Sequence, residues 1–279
     1  MKKLFIALSV FIVMGWITGC SDALSNDKIA QYVASSAGAN SSTMQMVSYS
    51  KFKSLSTLAN SGLSPLTVTN NNADGSTTYI DTFSGMTFTT TIWPLSFNNN
   101  YANMKFNMSF DFGAGNGSLS MGSDISIRFY DTNGIVIPIS NETNYSDADA
   151  VAGIVDIFGS LTISSTDKDA KTFSFTGQFG DSLDKPFQFN ADAGSINGSI
   201  SYSITGTDLS EAVTIYYDYK NLTAGSLSDY PSGTVNGYAQ QGTNKVDFTI
   251  VFNGTSTATL TVGGKNYIID LATKTYTEA

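Results

Sequence analysis

The chain of 279 residues has no histidine, one cysteine and one arginine. Without histidine there can be no Ser-His-Asp triad, no imidazole general base and no histidine metal ligand. With Cys20 as the lone cysteine, an internal disulfide and a cysteine zinc cluster are excluded. Arg128 by itself cannot form the guanidinium clamp that phosphate recognition uses. Charge of either sign is sparse: charged residues make up 13% of the chain, against about 25% in an average soluble domain. Of the 13 lysines, only Lys51 and Lys53 cluster beyond the extreme N-terminus. There is no basic stripe to displace counterions, so a nucleic-acid partner is not expected. What is abundant is neutral and polar: 37 Ser, 32 Thr and 22 Asn beside 41% apolar residues. That mixture suits β-sheets and turns outside the cytoplasm better than helical bundles.

The net charge is −9, and −11 once Lys2 and Lys3 are discounted. An acidic chain is repelled by anionic headgroups, so electrostatics will not hold it to a membrane. The N-terminus offers another means. Lys2 and Lys3 precede an apolar run of 14 residues, Leu4 to Ile17, interrupted only by Ser9 and Gly15. A run that short reads as a leader at residues 1–19 rather than a bilayer span, which needs about 20 residues. It ends in Ile17-Thr18-Gly19-Cys20, which resembles the lipobox of bacterial lipoproteins. The resemblance covers the leader alone. It implies that the Cys20 thiol takes a diacylglycerol group, that a peptidase cuts before Cys20, and that the new amine is acylated. Two or three acyl chains anchor stably where one binds only marginally. In enteric lipoproteins an aspartate directly after the cysteine favours retention in the inner membrane. Here Ser21 follows and Asp22 comes one place later, so the resemblance implies the outer membrane.

Residues 20–64 read as a tether with helical segments. Ser25 or Asn26 can cap a helix carrying Ile29, Val33 and Ala37 on one face, broken by Gly38–Ser42. A second helix is expected from about Thr43 to Asn60, with Met44, Val47, Phe52, Leu55, Leu58 and Ala59 as its apolar stripe. Such a stripe is expected to dock on the following domain, with a partner protein as the sharper alternative.

From residue 65 to 279 the period changes to two. Met104, Phe106, Met108, Phe110 and Phe112 alternate with Lys105, Asn107, Ser109 and Asp111. Similar alternation marks Thr77–Phe83, Met86–Ile92, Ile125–Phe129, Phe173–Phe179, Ile196–Ile204 and Val213–Tyr219. Asn116-Gly117, Asn133-Gly134 and Asn197-Gly198 read as turns. Val246–Phe252, Thr257–Val262 and Lys265–Leu271 are joined by Asn253-Gly254 and Gly263-Gly264, the pairs that tight hairpins require. The fold class is therefore mainly β, an antiparallel meander of about twelve strands. It forms either one large curved sheet, a half-barrel plugged by a helix, or a β-sandwich. Ala150–Phe158 fits a short helix or loop and equally a buried strand; the helix or loop is preferred, with a strand through Leu161–Ser164.

Functional signals are few. Asn70, Asn72, Asp74 and Asp81 match positions one, three, five and twelve of a calcium loop, with Gly75 at six. Two neutral asparagines and a short final aspartate weaken that match, and a polar turn before a strand explains the same residues, so no metal or other cofactor is expected. Tyr216 beside Asp218 could stack on a sugar, and Trp93 before Pro94 suggests a strand end. The expected function is a non-catalytic, lipid-anchored envelope protein whose β-domain binds a protein or glycan, or is structural. The alternative is a carrier of lipid or another apolar ligand on a concave sheet. A carboxylate-based hydrolase stands third. Replacing Cys20 by Ser should abolish palmitate labelling and detergent partitioning; equal labelling of the two proteins would refute the lipobox reading.

Overall fold

The computed structural model describes residues 25–34, 67–83, 85–113, 115–190, 193–223 and 230–279. Cys20, the leader and the helix expected near Thr43–Asn60 lie outside those residues. Helix α1 spans 26–34, and Ser25 caps it: the Lys28 amide donates to Ser25 Oγ at 3.2 Å. The first strands are β1 (Thr67–Asn71), β2 (Thr77–Phe83), β3 (Met86–Ile92), the short β4 (Ser96–Asn98), β5 (Tyr101–Asp111) and β6 (Ser118–Tyr130). Helix α2 (Glu142–Val151) then interrupts the strands. They resume with β7 (Ile154–Thr166), β8 (Thr172–Phe179), β9 (Phe187–Asn190), β10 (Ser195–Gly206) and β11 (Val213–Thr223). The meander closes with β12 (Ser232–Gln241), β13 (Asn244–Asn253), β14 (Thr257–Val262), β15 (Lys265–Asp270) and β16 (Thr275–Glu278).

All sixteen strands belong to one antiparallel sheet, so the two-sheet sandwich gives way to the single large sheet. Neighbours in the sheet are almost everywhere neighbours in sequence; β4 pairs beside β5, and β9 is inserted between β7 and β10. β1 and β16 are the outer strands. The twelve strands counted from alternation become sixteen because β1, β4, β9 and β16 are five residues or shorter, too brief to show a period.

Three local readings change. Helix α2 starts at Glu142, capped by Asn141, whose side chain accepts the Asn144 amide at 2.8 Å. The helix ends at Val151, two residues into the stretch Ala150–Phe158 where a helix or loop is expected. Strand β7 begins at Ile154 rather than Leu161, because Val155 and Ile157 face the core while Asp156 finds Arg128 across the ladder on the other face. Asn197-Gly198 lies inside β10, opposite the extra residue of a bulge in β11, and is not a turn. Gly198 has φ +93°, and a Cβ there would run into the Pro186 carbonyl, so only glycine lets β9 lie so close.

Alternation gives the sheet one apolar and one polar face. On β11, Val213, Ile215, Tyr217 and Tyr219 point inward; Ile200, Ile204, Val235, Phe248, Ile250, Leu260 and Tyr267 continue the same face on neighbouring strands. Gly237, opposite Tyr217 and Phe248, lacks the Cβ that would strike the Phe248 ring, and the two rings meet edge to face at 5.5 Å. Helix α1 lays Ile29, Ala30, Val33 and Ala34 against this core, all fully buried, so the helix is part of the core and not an appendage. Its Asp27 accepts the Tyr267 hydroxyl at 2.8 Å. Helix α2 docks beside it, with Tyr145 edge-on to Phe129 at 5.3 Å. Met104, Phe106, Met108 and Phe110 lie on the apolar face and are half-buried, whereas Phe112, past the end of β5, is 40% exposed. No helix among the described residues is long and apolar enough to cross a membrane.

Two core tyrosines make the fold sensitive to alkali. Burial, and for Tyr267 also the bond to Asp27, pushes the pKa of Tyr202 and of Tyr267 up to about 12 from 10. Below pH 10 folded and unfolded chains both hold these protons. Between pH 10 and 12 only the unfolded chain loses them, so stability must fall as pH rises through that window. Urea melts across it should show that fall, and Tyr267→Phe should make it shallower. A flat profile would contradict this packing.

Candidate functional site

The outer face carries the neutral polar residues that dominate the composition. Hydroxyls pair across strands: Thr78 with Thr91 at 3.0 Å, Thr162 with Thr176 at 3.2 Å and Ser164 with Ser174 at 2.9 Å. Within this face, one cluster is charged and enclosed. Arg128 on β6 and Asp156 on β7 are direct cross-strand partners, and Gln188 on β9 follows in the same row. Arg128 Nη2 donates to Asp156 Oδ2 at 2.8 Å. The Tyr130 hydroxyl donates to the same oxygen at 2.5 Å, and Gln188 Nε2 donates to Oδ1 at 2.9 Å. Asp156 is 1% exposed, so its charge is sustained by these three donors.

The guanidinium also lies over two rings, 4.5 Å from the Tyr101 centroid and 5.2 Å from that of Tyr130. Burial raises the pKa of both hydroxyls, with Asp156 adding to it at Tyr130, so both tyrosines stay neutral donors. Arg128 Nε is buried with no hydrogen-bond partner. The ion pair through Nη2 is thus only part of the donor capacity of this guanidinium.

A cavity of about 380 Å³ opens beside this pair, inside the range of about 300–1,000 Å³ typical of small-ligand sites. β4 contributes Ser96 and Asn98, β5 contributes Tyr101 and Asn103, and β6 contributes Ser126 and Arg128. The loop after β8 closes the rim with Leu183 and Asp184, and the Tyr101 hydroxyl fastens it by donating to the Leu183 carbonyl at 2.8 Å. The floor is pre-organised: Asn103 Nδ2 donates to Asp124 at 2.7 Å and to Ser126 Oγ at 3.3 Å. The lining therefore offers amides, hydroxyls, one guanidinium and one carboxylate, Asp184, while Asp156 neutralises the guanidinium from outside the lining.

Of the calcium-loop positions, three and five meet at Ser76, while twelve lies far along the next strand. Asn70 lies in β1 and pairs with Thr78, while Asn72 donates to Ser76 Oγ at 2.8 Å and to Thr78 Oγ1 at 2.9 Å. Asp74 accepts the Ser76 amide and hydroxyl at 3.0 and 2.7 Å, and Trp93 Nε1 at 2.9 Å. Those donors, Ser76 first, hold its pKa below the usual value. Asp81 sits within β2 opposite Phe88, five residues of extended chain beyond Ser76, or about 16 Å along the strand. Among the described residues no three acidic or sulfur ligands group together. The strand aspartates serve locally: Asp111 accepts the Gly113 amide, and Asp218 and Asp247 pair with Lys220 and Lys245.

Arg128 and Asp156 were not legible as a site in the sequence. Asp156 lies within the segment whose secondary structure was ambiguous, and the two are 28 residues apart. The available signal was Arg128 itself, the one arginine of the chain, in a strand between Ile127 and Phe129. Removing one partner of such a pair strands a buried charge. Arg128→Met, which leaves the 1% exposed Asp156 without its cation, should therefore cost about 3–5 kcal/mol in denaturant melts, while Arg128→Met with Asp156→Leu should recover most of that loss. A double variant as unstable as the single one would show that the pair does not act as a unit.

No family model matches the chain, and neither does any curated protein or solved structure, so the chemistry of this site is argued from its geometry.

Proposed function

We propose that this chain is a non-catalytic, lipid-anchored protein of the bacterial cell envelope that binds an uncharged saccharide in the cavity beside Arg128. The lipobox-like Ile17-Thr18-Gly19-Cys20 supports attachment through acyl chains on Cys20, in the outer membrane by the residues that follow. The observation that carries the binding role is the lining of the cavity: Asn98, Asn103, Ser96 and Ser126, with Tyr101, Arg128 and Asp184. Sugar hydroxyls both donate and accept, and this lining both accepts and donates.

Charge selects within that class. Asp156 already neutralises Arg128, and Asp184 leaves the cavity with a net negative charge, so an anionic ligand is disfavoured. The saturation of Asp156 by three donors supports binding over hydrolysis, since a general acid or base needs a free oxygen facing its substrate. Carriage of a lipid would use the apolar face, and there α1, α2 and the core rings fill much of the space.

Titration calorimetry of the full-length protein in detergent against neutral monosaccharides, hexoses and N-acetylhexosamines, tests the proposal. At least one should bind, and Asn103→Ala and Asn98→Ala should each weaken it about tenfold, the equivalent of one good hydrogen bond. These positions spare the ion pair, so the fold should survive. Absence of binding by every sugar, or binding indifferent to both substitutions, would overturn it.

A further inference from the structure

We infer that the ligand is a chain rather than a single sugar, and that a second unit rests on Tyr216, across the Gly180–Pro186 loop from the cavity. This rests on the saccharide reading of the cavity and extends it. The loop joining β8 to β9 is tight: the Asp181 amide donates to the Lys185 carbonyl at 2.9 Å, and the Lys185 amide to the Ser182 carbonyl at 3.0 Å. Its tip, Leu183 and Asp184, walls the cavity. Its base is tied to the other feature: Asp181 accepts Ser199 Oγ at 2.6 Å through Oδ1 and the Tyr216 hydroxyl at 3.3 Å through Oδ2. Asp181 and Asp184 are three residues apart, so cavity and tyrosine are separated by no more than about 10 Å of chain plus side-chain reach. A short oligosaccharide spans that.

Tyr216 is placed to receive a sugar. Ser199, Ser201, Thr214, Thr234 and Asn236 surround this part of the outer face, and Tyr216 on β11 and Tyr238 on β12 stand side by side on it, their rings parallel within 12° at 5.0 Å. Lys245 covers Tyr238 at 4.1 Å. Tyr238 therefore occupies the β12 side of Tyr216, and the opposite ring face looks over β10, where the register partner is Ser201. A serine is too short to cover an aromatic ring, and Tyr216 remains half-exposed. The stack with Tyr238 and the bond to Asp181 fix the ring in one orientation, which lowers the entropy lost on binding. An open, immobilised ring face beside a carboxylate acceptor binds the apolar face and the hydroxyl edge of a pyranose together.

The experiment is calorimetry on the full-length protein in detergent, with neutral malto-, cello- and N-acetylglucosamine oligomers from monomer to hexamer. For the series that binds, affinity should rise about tenfold or more between monomer and trimer and then level off. Tyr216→Ala should remove that rise and leave monomer affinity at the wild-type value, while Tyr216→Phe, which keeps the ring, should retain the rise. Monomer binding with no dependence on length, or a rise that survives Tyr216→Ala, would overturn the inference and leave the cavity reading standing. Failure of monomer and oligomers alike would overturn both.

Discussion

Successive side chains of a strand point to opposite faces, and in this chain that rule acts over sixteen strands at once. An apolar residue at every second position commits one whole face to the core, and the other face inherits everything polar. The helices follow from this. α1 and α2 cover parts of the apolar face with Ile29, Val33, Tyr145 and Ala148, because a sheet that large cannot leave its apolar side in water. The polar face has no such obligation, so it is there that side chains are free to assemble a binding site.

The site depends on a choice that is costly in isolation. Burying Arg128 and Asp156 removes two charges from water, and their mutual attraction repays that only if the remaining donors and acceptors are met. Tyr130 and Gln188 complete the carboxylate, and the rings of Tyr101 and Tyr130 replace water around the guanidinium. An arginine suits this position where a lysine would not, since its planar, weakly hydrated head can stack on rings and bond a carboxylate together. The same arrangement fixes β4, β5 and the loop after β8 around one cavity, with Tyr101 touching both the guanidinium and the loop. Rigid polar groups on rigid strands bind with little loss of freedom.

How far the sequence was readable follows the length of each pattern. β3, β14 and the Thr77–Phe83 strand appear with the bounds that alternation marks, because each is an unbroken run closed at its ends by strong turn residues. The Ser25 cap was legible from the Ser-Asn-Asp run before an apolar stripe. β4 and β9, at three and four residues, show no period at all, and β9 leaves the serial order of the meander, which local signals cannot report. Asn197-Gly198 carries turn chemistry, but positive φ at a glycine serves the close approach of a neighbouring strand as readily as a hairpin.

By itself the sequence determined the class of fold, the sidedness of its strands, the absence of imidazole chemistry and of an internal disulfide, and the neutral character of its surface. These are sums over residues or short periods, and they need no knowledge of which strand lies beside which. Tertiary structure alone decided that the strands form one sheet, that α1 lies inside the core, and that Arg128 meets Asp156 and Tyr101, which in turn holds the loop at Leu183. Those contacts depend on register between strands distant in sequence, and register is set by the packing of the whole apolar face rather than by any segment within it.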